Sequence, residues 1–127
     1  MEPVAIVITL ALIEYAAFGM LVGRARGKYN VPAPAISGDP IFERWFRVQQ
    51  NTQELLIIFL PGITLFGYYY NPNYAAILGL VFIVGRIVYL RGYVEDPKKR
   101  SLGFALSFLP AIILAIGGGI AALVNYV

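Results

Sequence analysis

A chain of 127 residues has room for a single domain, yet 59% of its residues are apolar and only 13% are charged, more grease than a soluble core of that size requires. It has neither cysteine nor histidine, which excludes disulfide frameworks, zinc sites on the usual ligands and nucleophiles that depend on a Cys or a His base, so no metal is expected. The formal net charge of +3 would suit a nucleic-acid partner in a soluble protein, but here the placement of the charge outweighs its total, and no nucleic acid is expected.

Crossing a hydrocarbon layer takes about 20 apolar residues, and four such candidates use nearly the whole chain. The expected fold is all-α: a bundle of four transmembrane helices forming one domain over residues 1–127. The first helix is read over residues 3–23; it lacks a basic leader and a small-residue cleavage pattern, so it reads as retained and not as a signal peptide. Arg24, Arg26 and Lys28 follow, then a Pro- and Gly-containing loop from Val31 to Pro40.

The second helix, residues 42–66, opens on three polar turns containing Glu43, Arg44, Arg47, Gln49, Gln50, Asn51, Gln53 and Glu54. Its apolar part is short for a span, so the helix must draw its polar start into the membrane; a helix over 42–66 is about 38 Å long at 1.5 Å per residue. Pro61 lies inside it and is expected to kink it. Asn71-Pro72-Asn73 forms an uncharged turn before the third helix, residues 74–92. A charged loop from Glu95 to Arg100 leads into the fourth, residues 102–126, where Gly117-Gly118-Gly119 favours close helix contact.

All ten basic residues lie in or near the first and third loops. The positive-inside rule therefore puts those loops in the cytoplasm and both termini on the opposite side. Ionisable groups within a membrane are expensive, and a cluster of them is a functional hypothesis. At 100° per residue Arg47, Gln50, Asn51 and Glu54 form one stripe, from which Gln49 points nearly opposite; Arg86, Tyr89 and Tyr93 share a face of the third helix at the same end. Guanidinium, amide, carboxylate and phenol groups together suit a flexible ligand carrying carboxylates and an ammonium, such as a small acidic peptide. The plainer readings are a stripe that bonds helices together and a tyrosine belt at the membrane interface. Glu14, mid-span, either pairs with an arginine such as Arg86 or is held protonated.

The stretch Phe42-Glu43-Arg44-Trp45-Phe46-Arg47-Val48-Gln49-Gln50-Asn51-Thr52-Gln53-Glu54, with Arg86-Ile87-Val88-Tyr89-Leu90-Arg91-Gly92-Tyr93, resembles the membrane-associated proteins in eicosanoid and glutathione metabolism, the MAPEG family, both its microsomal glutathione transferases and its cysteinyl-leukotriene synthase. The resemblance implies a homotrimer that binds glutathione as co-substrate between adjacent subunits. Carried over residue by residue, Arg47, Asn51, Glu54, Tyr89 and Tyr93 would line one subunit's share of the site, with Arg26 and Gln49 from its neighbour. Arg100 matches the arginine facing the glutathione sulfur, where a guanidinium favours thiolate, the nucleophile. Leu55 and Gly27 depart from the synthase pattern, which stands against leukotriene synthesis. The implied activity is transfer of glutathione, with reduction of lipid hydroperoxides as a further one, to lipophilic substrates dissolved among membrane lipids. The alternative is a non-catalytic lipid-binding scaffold of the same family.

Overall fold

The computed structural model describes all 127 residues as four long helices and one short one: α1 Glu2–Tyr29, α2 Pro40–Tyr69, α3 Pro72–Glu95, the 3₁₀ turn Pro97–Arg100, and α4 Ser101–Tyr126. Two of the long helices, α2 and α3, begin where a side chain satisfies their free N–H groups. Asp39 Oδ1 accepts from the backbone N–H of Ile41 and Phe42 at 2.9 Å each, and Asn71 Oδ1 accepts from Asn73 and Tyr74 at 2.8 and 3.0 Å. Pro40 and Pro72 stand in the first turn, where a missing N–H costs nothing.

The sequence expectation ended α1 at Gly23; the helix instead runs six residues further, through Arg24, Arg26 and Lys28. Charge marks the edge of the apolar run but does not stop a helix, and arginine and lysine are good helix formers. What stops it is Asn30, in the left-handed region at φ 56°. The same reasoning carries α3 past Gly92 to Glu95. Pro61 remains inside α2, whose helix continues to Tyr69.

The helices run up and down, with α4 packed on α2 and α3 on one side and α1 on the same pair from the other. The main core joins Val4, Val7 and Ala11 of α1, Phe59, Ile63 and Phe66 of α2, Phe82 of α3, and Leu114 of α4. Phe59 and Phe82 are both fully buried and stack with centroids 4.0 Å apart. The seam between α3 and α4 is tight at two glycines: a Cβ on Gly85 would lie 2.7 Å from the carbonyl carbon of Leu106, and one on Gly103 would collide with the backbone of Tyr89. In the glycine run of α4, Gly117 and Gly118 face Phe66 and Leu65 of α2, while Gly119 faces open space.

Much of the outer surface is apolar, with Ile6, Met20, Ile57, Ile77, Ile113 and Leu123 all exposed. Three helical segments, Glu2–Tyr29, Pro72–Glu95 and Pro97–Tyr126, are long and apolar enough to cross a membrane. The second helix, α2, is not among them, because its polar first half dilutes an apolar second half. This is the architecture of an integral membrane bundle, with grease facing lipid. By connectivity, the C-terminal ends of α1 and α3 and the N-terminal ends of α2 and α4 share one end of it. That end carries the basic residues; Tyr68, Tyr69, Tyr70 and Tyr74 mark the other.

Candidate functional site

At the charged end, α2, α3 and the start of α4 enclose an open-sided cavity of about 520 Å³ lined by Arg47, Asn51, Tyr89, Tyr93, Arg100, Ser101 and Phe104. Arg47 and Asn51 stand one turn apart on α2, and Tyr89 and Tyr93 one turn apart on α3, with ring centroids 5.5 Å apart. Arg100 closes the 3₁₀ turn, where its Nη1 donates to the carbonyl of Pro97 at 3.1 Å. Asp96 caps that turn through the N–H of Lys98, and Gly92 lets the carbonyl of Lys99 approach α3 closely. Lys99 donates to Glu95 Oε1 at 2.6 Å. Arg100 has no such acid and faces the cavity.

Seven lining residues include two guanidinium groups and no carboxylate, so the cavity favours an anion. Its amide, phenols and hydroxyl supply both donors and acceptors. The volume falls within the range of small-molecule sites, about 300–1,000 Å³.

Five of the eight residues singled out in the sequence thus line one cavity: Arg47, Asn51, Tyr89, Tyr93 and Arg100. The other three do not. Glu54 lies on the same stripe one turn from Asn51, exposed, and is not part of the lining. Arg26 is turned to the first loop: Nη1 donates to the carbonyls of Ala35 at 2.6 Å and Val31 at 3.3 Å, and the guanidinium lies 4.9 Å from the ring centroid of Phe42. Gln49 packs its amide against Gly19 of α1, on the other side of α2. Gln50, on the predicted stripe, accepts from Arg47 Nη1 at 2.7 Å.

Arg86 shares a helical face with Tyr89, as expected, but it does not line the cavity. It is wholly buried beneath it: Nη1 donates to Asn51 Oδ1 at 2.9 Å and to Thr52 Oγ1 at 3.2 Å, and the guanidinium lies 4.2 Å from the ring centroid of Tyr89. No direct ion pair joins it to Glu14. Sequence reading missed Ser101 and Phe104. Phe104 stands four residues after Arg100, a helical spacing that could have brought it in; Ser101 carried no periodic signal.

A model of the MAPEG family matches residues 4–120. The chain belongs to the MAPEG family. Among its relatives, an uncharacterized protein of Synechocystis is 49% identical over 113 residues, covering 89% of this chain and 82% of that protein. The bovine microsomal glutathione S-transferase 2 is 42% identical over 117 residues, covering 92% of this chain and 80% of its own length. Rat leukotriene C4 synthase is 30% identical over 129 residues, covering 87% and 86%. As a MAPEG member the chain keeps the family's membrane bundle, and the charged cavity lies within the matched region.

Proposed function

We propose that this protein is an integral-membrane glutathione transferase that joins the glutathione sulfur to lipophilic electrophiles dissolved in the bilayer. The reading rests on one observation: two arginines, two tyrosines and an asparagine from three separate chain segments line a single cavity without a carboxylate. Relatives named for glutathione transfer and leukotriene C4 synthesis supply the reaction class.

Glutathione carries two carboxylates and one ammonium at neutral pH. Arg47 and Arg100 pair with the carboxylates or the thiolate, and Asn51 and the phenols orient the peptide. A free thiol of this kind has a pKa of about 8.5, and a guanidinium beside the sulfur lowers it; each unit corresponds to about 1.4 kcal/mol. In the proposed step the thiol proton leaves to water through the open side of the cavity. The thiolate forms a carbon–sulfur bond, and the electron pair of the broken bond departs with the leaving group, chloride in the case of a chlorinated nitrobenzene.

Arg26 and Gln49 lie off this cavity, and a trimer gives them a role by presenting them to the cavity of the adjacent subunit. In that assembly α2 is the fourth span, its polar half shielded by subunit contacts. The basic loops face the cytoplasm and the termini the opposite side.

The test is conjugation of glutathione to a chlorinated nitrobenzene by the purified protein, with Arg100→Ala beside it. Losing one aimed cationic donor is expected to lower kcat about 10²–10³-fold. Full activity in Arg100→Ala removes that residue from the mechanism. No conjugation by the natural protein, together with no glutathione binding by calorimetry, would replace the transferase with the non-catalytic lipid-binding scaffold.

A further inference from the structure

The buried face of α1 repeats as Val4, Val7, Ala11, Phe18, Val22 and Ala25, steps of three and four with one place skipped. Residue 14 fills that place, and it is a glutamate. The buried face of α3 repeats as Ala75, Gly79, Phe82, Arg86 and Tyr89, again with a charge where an apolar side chain belongs.

These two interruptions fall in one layer. Val7 packs directly against Gly79, Ala11 and Phe82 share the main core, and Phe18 and Tyr89 share the cluster nearer the charged end. Glu14 lies between Ala11 and Phe18, and Arg86 lies between Phe82 and Tyr89, so the parallel register of α1 and α3 sets them opposite each other. Both carboxylate oxygens of Glu14, and Nε and Nη2 of Arg86, are buried with no hydrogen-bond partner in the protein. Nη1 of Arg86 holds Asn51, and its guanidinium lies over the ring of Tyr89, both lining the cavity. Buried charged groups persist when paired, and a bridging water can join two groups that make no direct bond.

We propose that Glu14 is a positioning residue for the glutathione cavity, acting across the core through Arg86. Its carboxyl group engages the Nε and Nη2 edge of the guanidinium through one water. That fixes Nη1 on Asn51 and the guanidinium over the ring of Tyr89. Glu14 touches no substrate. Its effect is to hold the amide and the phenol in the geometry that glutathione meets, so the inference rests on the transferase reading.

The experiment measures steady-state kinetics and thermal unfolding of the full-length protein in detergent, with Glu14→Leu and Glu14→Gln. Leucine supplies the apolar side chain that the repeat calls for, so a Glu14 that does not engage Arg86 predicts a protein at least as stable with unchanged KM, and a purely structural pairing predicts lost stability with unchanged KM. The proposal predicts about a tenfold or greater rise in KM for glutathione, an unchanged KM for the electrophile, and partial recovery in Glu14→Gln, which keeps an acceptor of the same shape. In an Asn51→Ala background Glu14→Leu should add little further, because its path to the ligand is already cut. An unchanged KM for glutathione in Glu14→Leu, or additive effects with Asn51→Ala, overturns the proposal. If Glu14→Leu does not fold, Glu14→Gln must show the rise in KM on its own, or the proposal fails. Absence of conjugation by the natural protein would overturn the transferase reading instead, and in that case calorimetric binding of glutathione to the same variants decides Glu14.

Discussion

Gly103→Ala tests whether the contact between α3 and α4 sets the geometry of the cavity. The added carbon would sit 2.8 Å from Cβ of Tyr89 and closer still to its backbone N and Cα. Carbon atoms rest about 3.5–4.0 Å apart, so the two helices must part by on the order of 1 Å at this point. Neither side can yield by rotating a side chain, because the opposing atoms are backbone. Overpacking of this kind costs about 1–3 kcal/mol. The displacement falls between Tyr89 on α3 and Arg100, Ser101 and Phe104 around the start of α4, all of which line the cavity. A shift of about 1 Å in catalytic geometry can cost about 10²-fold in rate. Gly119→Ala on the same helix is the control, since nothing lies within 4 Å of its added carbon. It removes backbone freedom worth about 0.5–1 kcal/mol and should stabilise slightly. Thermal unfolding in detergent reads the first effect and conjugation kinetics the second. A Gly103→Ala protein that melts with the Gly119→Ala control and turns over at the natural rate would refute the reasoning.

If sites are shared between subunits, Gln49→Ala and Arg100→Ala proteins should each be weakly active, while co-expression of the two should recover activity through subunits that contribute intact groups to one another. Activity that never exceeds the average of the two parents would place Gln49 outside the neighbour's site. Phe59→Ala should lower resistance to denaturing detergent by at least the stacking share of its contact with Phe82, about 0.5–1.5 kcal/mol, because packing remains after burial from lipid is discounted. Ile57→Ala, on the exposed side of the same helix, should have little effect, and equal losses in the two would contradict the packing assignment.

Much of the fold was legible because a membrane simplifies the reading. Apolar runs of spanning length announce helices, and Asn71-Pro72-Asn73 announces the break before the third, although the structure starts α3 at Pro72, two residues earlier than read, with Asn71 as its cap. The ends were less legible. Arg24 to Lys28 fell outside the first helix as read because the hydropathy changes there, but helix termination is a backbone event, and it waited for Asn30. In the site, helical spacing brought Arg47 together with Asn51, and Tyr89 with Tyr93, since a period of 3.6 residues sets which side chains share a face.

Periodicity says which residues share a face and nothing about what that face meets. Arg86 and Tyr89 share one, yet Tyr89 opens to the cavity while Arg86 is sealed beneath it on Asn51 and Thr52. Gln50 and Asn51 are neighbours on one stripe, yet one is engaged by Arg47 and the other by Arg86. The sequence alone determined the number of helices, their grease and the gathering of positive charge at one end, because each depends on composition and local spacing. Only the tertiary structure decided that Arg100 lines the same cavity as Arg47 from a distant part of the chain, and that the misfit charges at positions 14 and 86 lie in one layer. Both depend on how α1, α3 and α4 are registered against one another, and that is settled by packing at particular contacts such as Val7 on Gly79 and Gly103 on Tyr89.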